Sequence, residues 1–283
     1  MSFIKNIYKF LHPGYQKLFL EYKTQFKPRH GHGNPAHDLL YERINKNRNV
    51  FKDYLEKFLA DKERLQQIKK SEEEMDPKQP SWNNGFLPGL DIVALYSFMG
   101  IFNPKQYVEI GSGNSTKVAR KAITDFNLQT KIVSIDPAPR AEIDSLADEI
   151  IRKPAENVKD WSCVEQLNEN DILFIDNSHR SFPNSDVTVC FLELIPKLKK
   201  GVIVHIHDIY LPYDYPQIMC DRFYNEQYLL ACFLLASENY LYIILPNYFV
   251  SEDKELAAVI SPMWEHKNLE GVEQHGGSFW MVK

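Results

Sequence analysis

Cysteine is scarce and scattered. Cys163, Cys190, Cys220 and Cys232 form no Cys-x-x-Cys pair and no dense framework, so neither a disulfide scaffold nor a zinc ribbon is expected, and reduced thiols in a cytoplasmic protein are the simplest reading. A basic surplus is missing as well: the formal net charge of -5 gives no global reason to expect nucleic acid. No stretch is long and uncharged enough to span a bilayer, the amino terminus lacks the continuous apolar core of a signal peptide, and no internal repeat or low-complexity tract occurs. What remains is an ordinary soluble composition over 283 residues, 44% hydrophobic and 13% aromatic, ample for a well-packed core.

The most informative stretch is Tyr107-Val-Glu-Ile-Gly-Ser-Gly-Asn-Ser-Thr116. A short apolar run ends in a carboxylate and two glycines, and Val118, Ala119 and Ile123 then keep a helical apolar face. The pattern predicts a strand, a tight turn and a helix. Gly111 and Gly113 would let a nucleotide-type ligand approach the backbone, with Ser112, Asn114 and Ser115 beside unpaired N–H groups of the helix. A dinucleotide fingerprint would want a third glycine where this chain has Thr116. Glu109 would repel a pyrophosphate but suits a cationic amino group, which favours S-adenosylmethionine over NAD. Asp136, ending Lys131-Ile-Val-Ser-Ile-Asp136, is placed to accept hydrogen bonds from both ribose hydroxyls. Each acid also has a plain structural alternative, Glu109 as a cap for the following helix and Asp136 as a turn residue before Pro137.

Glu109-Ile-Gly-Ser-Gly-Asn-Ser115, the strand end at Asp136, Phe174-Ile-Asp-Asn-Ser-His179 and Val204-His-Ile-His-Asp-Ile209 together resemble the class I S-adenosylmethionine-dependent methyltransferases, most closely a bacterial branch sharing the last two motifs. The resemblance runs from about Trp82 to Lys283. It implies a doubly wound, seven-stranded Rossmann-like α/β sheet whose final strand is antiparallel. The apolar runs place strands at 131–136, 149–152, 171–175, 202–207, 240–245 and 278–282. Helices are expected at 89–99, 140–147, 156–166, 186–198 and 217–236.

Ligands of such sheets lie beyond the carboxyl ends of the strands. Asp176 and Asn177 would therefore join the cofactor site, and His179, His207 and Asp208 would face the acceptor as candidate catalytic groups. A hydroxyl acceptor must shed its proton to a base or be acidified by a metal. Metal-dependent O-methyltransferases of this fold suggest Asp176, His207 and Asp208 as the ligands of a divalent ion, although an imidazole departs from their all-oxygen pattern. His205, inside the strand, reads as a hydrogen-bonded core histidine, and His179 could equally cap its loop. Tyr210-Leu-Pro-Tyr-Asp-Tyr-Pro216 reads as a substrate-facing loop, and Trp82, Asn83 and Asn84 as either lid contacts or a buried turn anchor.

Residues 1–80 read as a helical extension of the methyltransferase domain at 81–283, with amphipathic helices between Leu39 and Lys70 and a linker at Ser71–Pro80. Residues 1–30 hold six basic side chains against Glu21 alone, interleaved with Phe3, Ile4, Ile7, Tyr8, Phe10 and Leu11. A short amphipathic helix there could rest on an anionic membrane or a partner, or cover its own catalytic domain. His30-Gly-His-Gly-Asn-Pro-Ala-His37 reads as a flexible turn rather than a metal site. The expected activity is methylation of a small-molecule hydroxyl, for instance a sugar or glycan precursor. A Rossmann oxidoreductase and a non-catalytic cofactor-binding module are the alternatives.

Overall fold

The computed structural model describes residues 3–21, 23–139 and 142–283. A single sheet organises them, with strands β1 (Gln106–Ile110), β2 (Lys131–Ile135), β3 (Glu149–Ile151), β4 (Ile172–Ile175), β5 (Ile203–Ile206), β6 (Tyr242–Pro246) and β7 (Phe279–Val282) in the order β3-β2-β1-β4-β5-β7-β6. Strands β1 to β5 pair in parallel, while β7 is antiparallel to both β5 and β6. This is a doubly wound, seven-stranded Rossmann-like α/β sheet. The central strands bury both faces, which is why Ile172–Ile175 and Ile203–Ile206 are almost uninterrupted apolar runs. Strand order reverses between β1 and β4, so the crevice above the carboxyl ends of β1, β2, β4 and β5 is where a ligand can enter.

Several helices differ from the expected spans. The stretch 217–236 is two helices, Gln217–Cys220 and Glu226–Ala236, separated by a turn in which Phe223 adopts a left-handed φ of 61°. Asn225 explains the break: its side chain accepts from the Ser181 backbone N–H at 2.7 Å, and its own N–H donates to the His179 carbonyl at 3.0 Å. The stretch 186–198 changes pitch twice, with a π-helical turn at Cys190–Leu194 before a 3₁₀ turn at Ile195–Lys197. Pro196, which has no N–H to donate, ends its regular hydrogen bonding. Around 156–166 only the short turns Ala155–Asn157 and Ser162–Glu165 are helical. Of the helix expected at 140–147, residues 140 and 141 lie outside the described residues, and the rest is a 3₁₀ turn at Asp144–Leu146. Helices Asn247–Glu252 and Lys254–Ile260 carry no strong periodic signal in the sequence and were not anticipated.

Helices Asp38–Asn45 and Arg48–Phe58 contribute Leu40, Ile44, Phe51, Leu55 and Phe58 to the same apolar cluster that surrounds the sheet. Arg48 reinforces that attachment with two 2.6 Å hydrogen bonds to the Asp253 carboxylate, a bidentate geometry in which one charge pair fixes an orientation as well as a distance. The first helix, Phe3–Leu11, does something else. Over residues 7–20 the large apolar side chains stay outside, with Leu11 at 73% and Phe19 at 80% exposure, so this stretch does not bury them against the sheet and its helices. Contact with the body begins near Phe26, whose ring meets Phe223 edge-on at 5.0 Å. No helix among the described residues is long and apolar enough to cross a membrane.

Candidate functional site

A cleft of about 960 Å³ opens above the carboxyl ends of the parallel strands. Its floor is the turn after β1. Gly111 has φ +86°, and a Cβ there would stand 1.7 Å from the Asp176 carbonyl, so no other residue fits the crossing of the β1 and β4 chain ends. Ser112 donates its backbone N–H to the Asp136 carboxylate at 2.8 Å, and Ala138 N–H binds the other carboxylate oxygen at 2.7 Å. Asp136 is thereby held at the cleft wall in one orientation, as a ribose-binding acid would need. Both readings of Asp136 in the sequence describe the same residue: it orders the turn and lines the cleft.

Glu109 does not meet the cleft. It is fully buried and accepts hydrogen bonds from the hydroxyls of Thr116, Ser115 and Tyr107, the last two at 3.0 and 3.3 Å. The expectation that it greets the cofactor's ammonium therefore gives way to the alternative, an acid that ties the strand end to the start of helix Asn114–Asp125. Burial pushes its pKa up to about 7 against the pull of those hydroxyls. Gly113, Asn114 and Ser115 likewise do not line the cleft: Gly113 N–H donates to Thr116, Asn114 to the Asn84 side chain, and Ser115 to Glu109. Thr116, where a dinucleotide fold would want glycine, is in use as the partner of Glu109.

The opposite wall is built from β4 and β5. His207 follows the last residue of β5 and places Nε2 3.1 Å from the Asp91 carboxylate, with Nδ1 3.6 Å from both Asp176 and Asp208. His179, in a left-handed conformation with φ 60°, sends Nδ1 to Glu226 at 3.0 Å and Nε2 to Asp176 and Asp208 at 3.4 Å. Two imidazoles thus alternate with four carboxylates. Burial opposes charge on each ring, but the surrounding acids win: the His179 pKa is pushed up to about 10 and that of His207 rises well above the ordinary range. Burial likewise opposes ionisation of Asp176, and the two imidazoles outweigh it, holding this acid well below the ordinary carboxylate range.

Asp91 was not picked out from the sequence. It is fully buried on helix Gly89–Phe102 and takes hydrogen bonds from the backbone N–H groups of Gly277 and Ser278 and from the Asn247 side chain, at 2.8, 2.9 and 2.7 Å. Gly276 leaves room for it, since a Cβ there would lie 2.3 Å from Asp91 Oδ1. The signal was present in Leu90-Asp-Ile-Val-Ala-Leu95, a lone carboxylate in an otherwise apolar helix, which implies a buried partner. Glu226 carries a weaker signal. Nothing marks it before the break at 221–225 is known.

The remaining candidates sort by contact. Asn177 lines the cleft but spends its side chain on Glu226, at 2.9 Å, and on the His179 backbone N–H, at 2.9 Å. His205 lies stacked on Phe174 with ring centroids 3.7 Å apart and bonds Ser278 at 2.8 Å, and burial holds its pKa well below the ordinary value, so it is neutral and internal. Trp82 is buried against Trp264, the Asn83 side chain is held by the Gly271 carbonyl and the Glu273 N–H, and Asn84 is consumed by hydrogen bonds within its own turn; Phe86 and Pro88, just beyond, reach the cleft. From the aromatic loop, Tyr210 lines the cleft while Tyr215 is buried beneath it. Among the described residues, no group of three or more His, Cys, Asp or Glu is disposed to hold a metal ion; both ring nitrogens of His207 already face carboxylates.

The arrangement suits an adenosine-bearing ligand, with an oriented acid at the β2 end, a glycine turn at the β1 end, and a cleft of ample volume. No curated protein matches the chain with significant similarity. Among solved structures, an S-adenosylhomocysteine-bound methyltransferase from Podospora anserina, PaMTH1, aligns with a TM-score of 0.40 at 16% identity over 70% of this chain and 89% of that one. Residues 108–209 match a family model described as a methyltransferase domain. That span runs from β1 through β5, contains the glycine turn, Asp136, Asp176, His179, His207 and Asp208, and is similar to a methyltransferase domain.

Proposed function

We propose that the enzyme methylates a hydroxyl of a small molecule, a sugar or glycan precursor being one such acceptor, with His207 as the general base. The observation that carries this reading is the His207–Asp91 pair beside the cleft. Once the ring is neutral, an Nε2–H held by Asp91 sets its tautomer and leaves the Nδ1 lone pair on the acceptor side, next to Asp176 and Asp208. S-adenosylmethionine supplies an electrophilic methyl carbon on a sulfonium. The acceptor oxygen forms its bond to that carbon as the carbon–sulfur bond breaks, the sulfur leaves as the neutral thioether, and the hydroxyl proton passes to His207 Nδ1. Asp208 and Asp176 stabilise the imidazolium that results, and His179, anchored on Glu226, holds those two acids in place. A divalent ion held by Asp176 and Asp208 would require His207 to turn away from its acids, so proton transfer to His207 is the preferred reading.

Asp136 is assigned to the cofactor ribose and Ser112 to its neighbourhood. The test is calorimetric titration with S-adenosylhomocysteine, followed by an acceptor screen with labelled methyl donor. Micromolar binding that is lost in Asp136→Ala supports the reading. Absence of binding to the wild-type protein, with NADH binding in its place, would return the oxidoreductase; full methyl transfer by His207→Ala would remove the base.

The Phe174-Ile-Asp and His205-Ile-His-Asp wording supports placement in the bacterial branch, and four free cysteines support a cytoplasmic setting. The exposed apolar and basic residues before Phe26 support a weak peripheral contact with anionic lipid, because a positively charged, amphipathic segment gains both from headgroup charge and from burying its rings.

A further inference from the structure

Most arginines of this acid-rich chain have visible counter-groups. Arg48, Arg64, Arg120 and Arg152 are ion-paired, and Arg43 donates to the carbonyls of Glu238 and Leu241. Arg180 and Arg222 differ: neither has a carboxylate within ion-pair distance among the described residues, and both line the cleft. Their guanidinium carbons lie 5.1 and 4.6 Å from the centroid of the same ring, Tyr224. Arg180 is oriented further by donating Nε–H to the Arg222 carbonyl and Nη1–H to the Ser178 carbonyl, both at 2.8 Å. The two cations are therefore gathered on one aromatic platform and one of them is held in position, at the energetic cost of bringing like charges together.

Resting on the methyltransfer reading above, we propose that the acceptor carries a phosphoryl group and that Arg180 and Arg222 bind it. A pair of guanidiniums offers more N–H donors than the two oxygens of a carboxylate can use, whereas the oxygens and double charge of a phosphate match them. The position also fits the chemistry. Arg180 directly follows His179, whose Nε2 is 3.4 Å from Asp208, so a phosphate seated on the arginines brings the rest of the acceptor toward the acids around His207. The acids that could compete for the arginines are committed elsewhere, Asp186 to Ser178 and Glu226 to His179 and Asn177. The substrate class is thus a phosphorylated small molecule with a free hydroxyl.

The test uses the full-length protein saturated with S-adenosylhomocysteine, titrated calorimetrically with inorganic pyrophosphate and, separately, with acetate. Pyrophosphate is expected to bind the wild-type protein and to bind Arg180→Gln and Arg222→Gln at least tenfold more weakly, while affinity for S-adenosylhomocysteine stays within twofold and reports that the variants are folded. Equal pyrophosphate affinity in wild type and variants overturns the site, as does absence of pyrophosphate binding to wild type. Acetate binding as tightly as pyrophosphate, with the same loss in the variants, overturns the phosphoryl assignment in favour of a carboxylate. If S-adenosylhomocysteine does not bind, the methyltransfer reading fails, and the same pyrophosphate titration on the cofactor-free protein still decides the arginine site.

Discussion

His207 Nε2 lies 3.1 Å from an Asp91 carboxylate that is fully buried, so a histidine at the end of β5 and an acid from a helix more than a hundred residues earlier form one unit. Burial works against ionisation of Asp91, yet His207 and its N–H donors outweigh it and hold the acid below the ordinary carboxylate range. Replacing Asp91 by Asn should free the imidazole to take the wrong tautomer and lower kcat by roughly 10²- to 10⁴-fold. Affinity for S-adenosylhomocysteine, measured on the same preparation, should change little.

In the proposed reaction the acids around His207 also set the pH at which it can accept a proton. Its folded-state pKa is raised well above 6.5, so at neutral pH most of the imidazole holds its proton. Methyl transfer should therefore increase with pH through and beyond neutrality instead of levelling near 6.5. Asp208→Asn removes one of the charges that raise that pKa, and the rising limb should move to lower pH. A profile that is flat between pH 6 and 9 would count against His207 as the base.

Glu109 makes a stability prediction of the opposite sign. An acid whose folded pKa is raised to about 7 binds its proton more tightly folded than unfolded, so stability falls as pH climbs from about 4.5 to about 7 and the full cost is present above. That cost is on the order of 3 kcal/mol by linkage. Relative to wild type, Glu109→Gln should gain stability between pH 5 and pH 8, read as a shift in urea midpoint.

Gly111→Ala should be among the most damaging single changes in the chain. The added Cβ meets the Asp176 carbonyl at 1.7 Å on a backbone with φ +86°, and the combined strain and displacement should cost at least about 3 kcal/mol. Thermal unfolding would register it as a lower Tm, and binding of S-adenosylhomocysteine should be lost together with stability.

The amino-terminal segment can be tested apart from catalysis. Deleting residues 1–21 removes exposed Leu11 and Phe19 without touching the cluster that includes Leu40 and Phe51, so unfolding should be unchanged. Sedimentation with vesicles containing phosphatidylserine should bind the full chain at low salt, weaken at high salt, and fail for the truncated form.

The strands were legible because burial on both faces leaves an almost continuous apolar record, and β1, β2, β4, β5 and β7 lie within one or two residues of where that record places them. The cleft-lining acids Asp136, Asp176 and Asp208 were legible for a related reason: a polar residue ending an apolar run sits at the tip of a strand. Glu109 also ended such a run, but its direction was not legible. Whether a carboxylate at a strand tip faces ligand or helix depends on hydroxyls at Ser115 and Thr116 whose geometry exists only once the turn is closed. Asp91 and Glu226 stayed hidden because their partners come from distant segments. The break between 217–220 and 226–236 was missed because its cause, the hydrogen bonding of Asn225 to residues 179 and 181, is tertiary.

The close approach of Gly111 to the Asp176 carbonyl also sets a spacing within the cleft. The turn after β1 and the peptide of Asp176 at the end of β4 pack backbone to backbone with no intervening side chain, so a shift of one displaces the other. The spacing of the β1 and β4 chain ends is consequently set by backbone thickness, which a side-chain substitution elsewhere in the cleft does not change directly. Arg180, Tyr210 and Arg222 line the same cleft and can be exchanged around that fixed spacing.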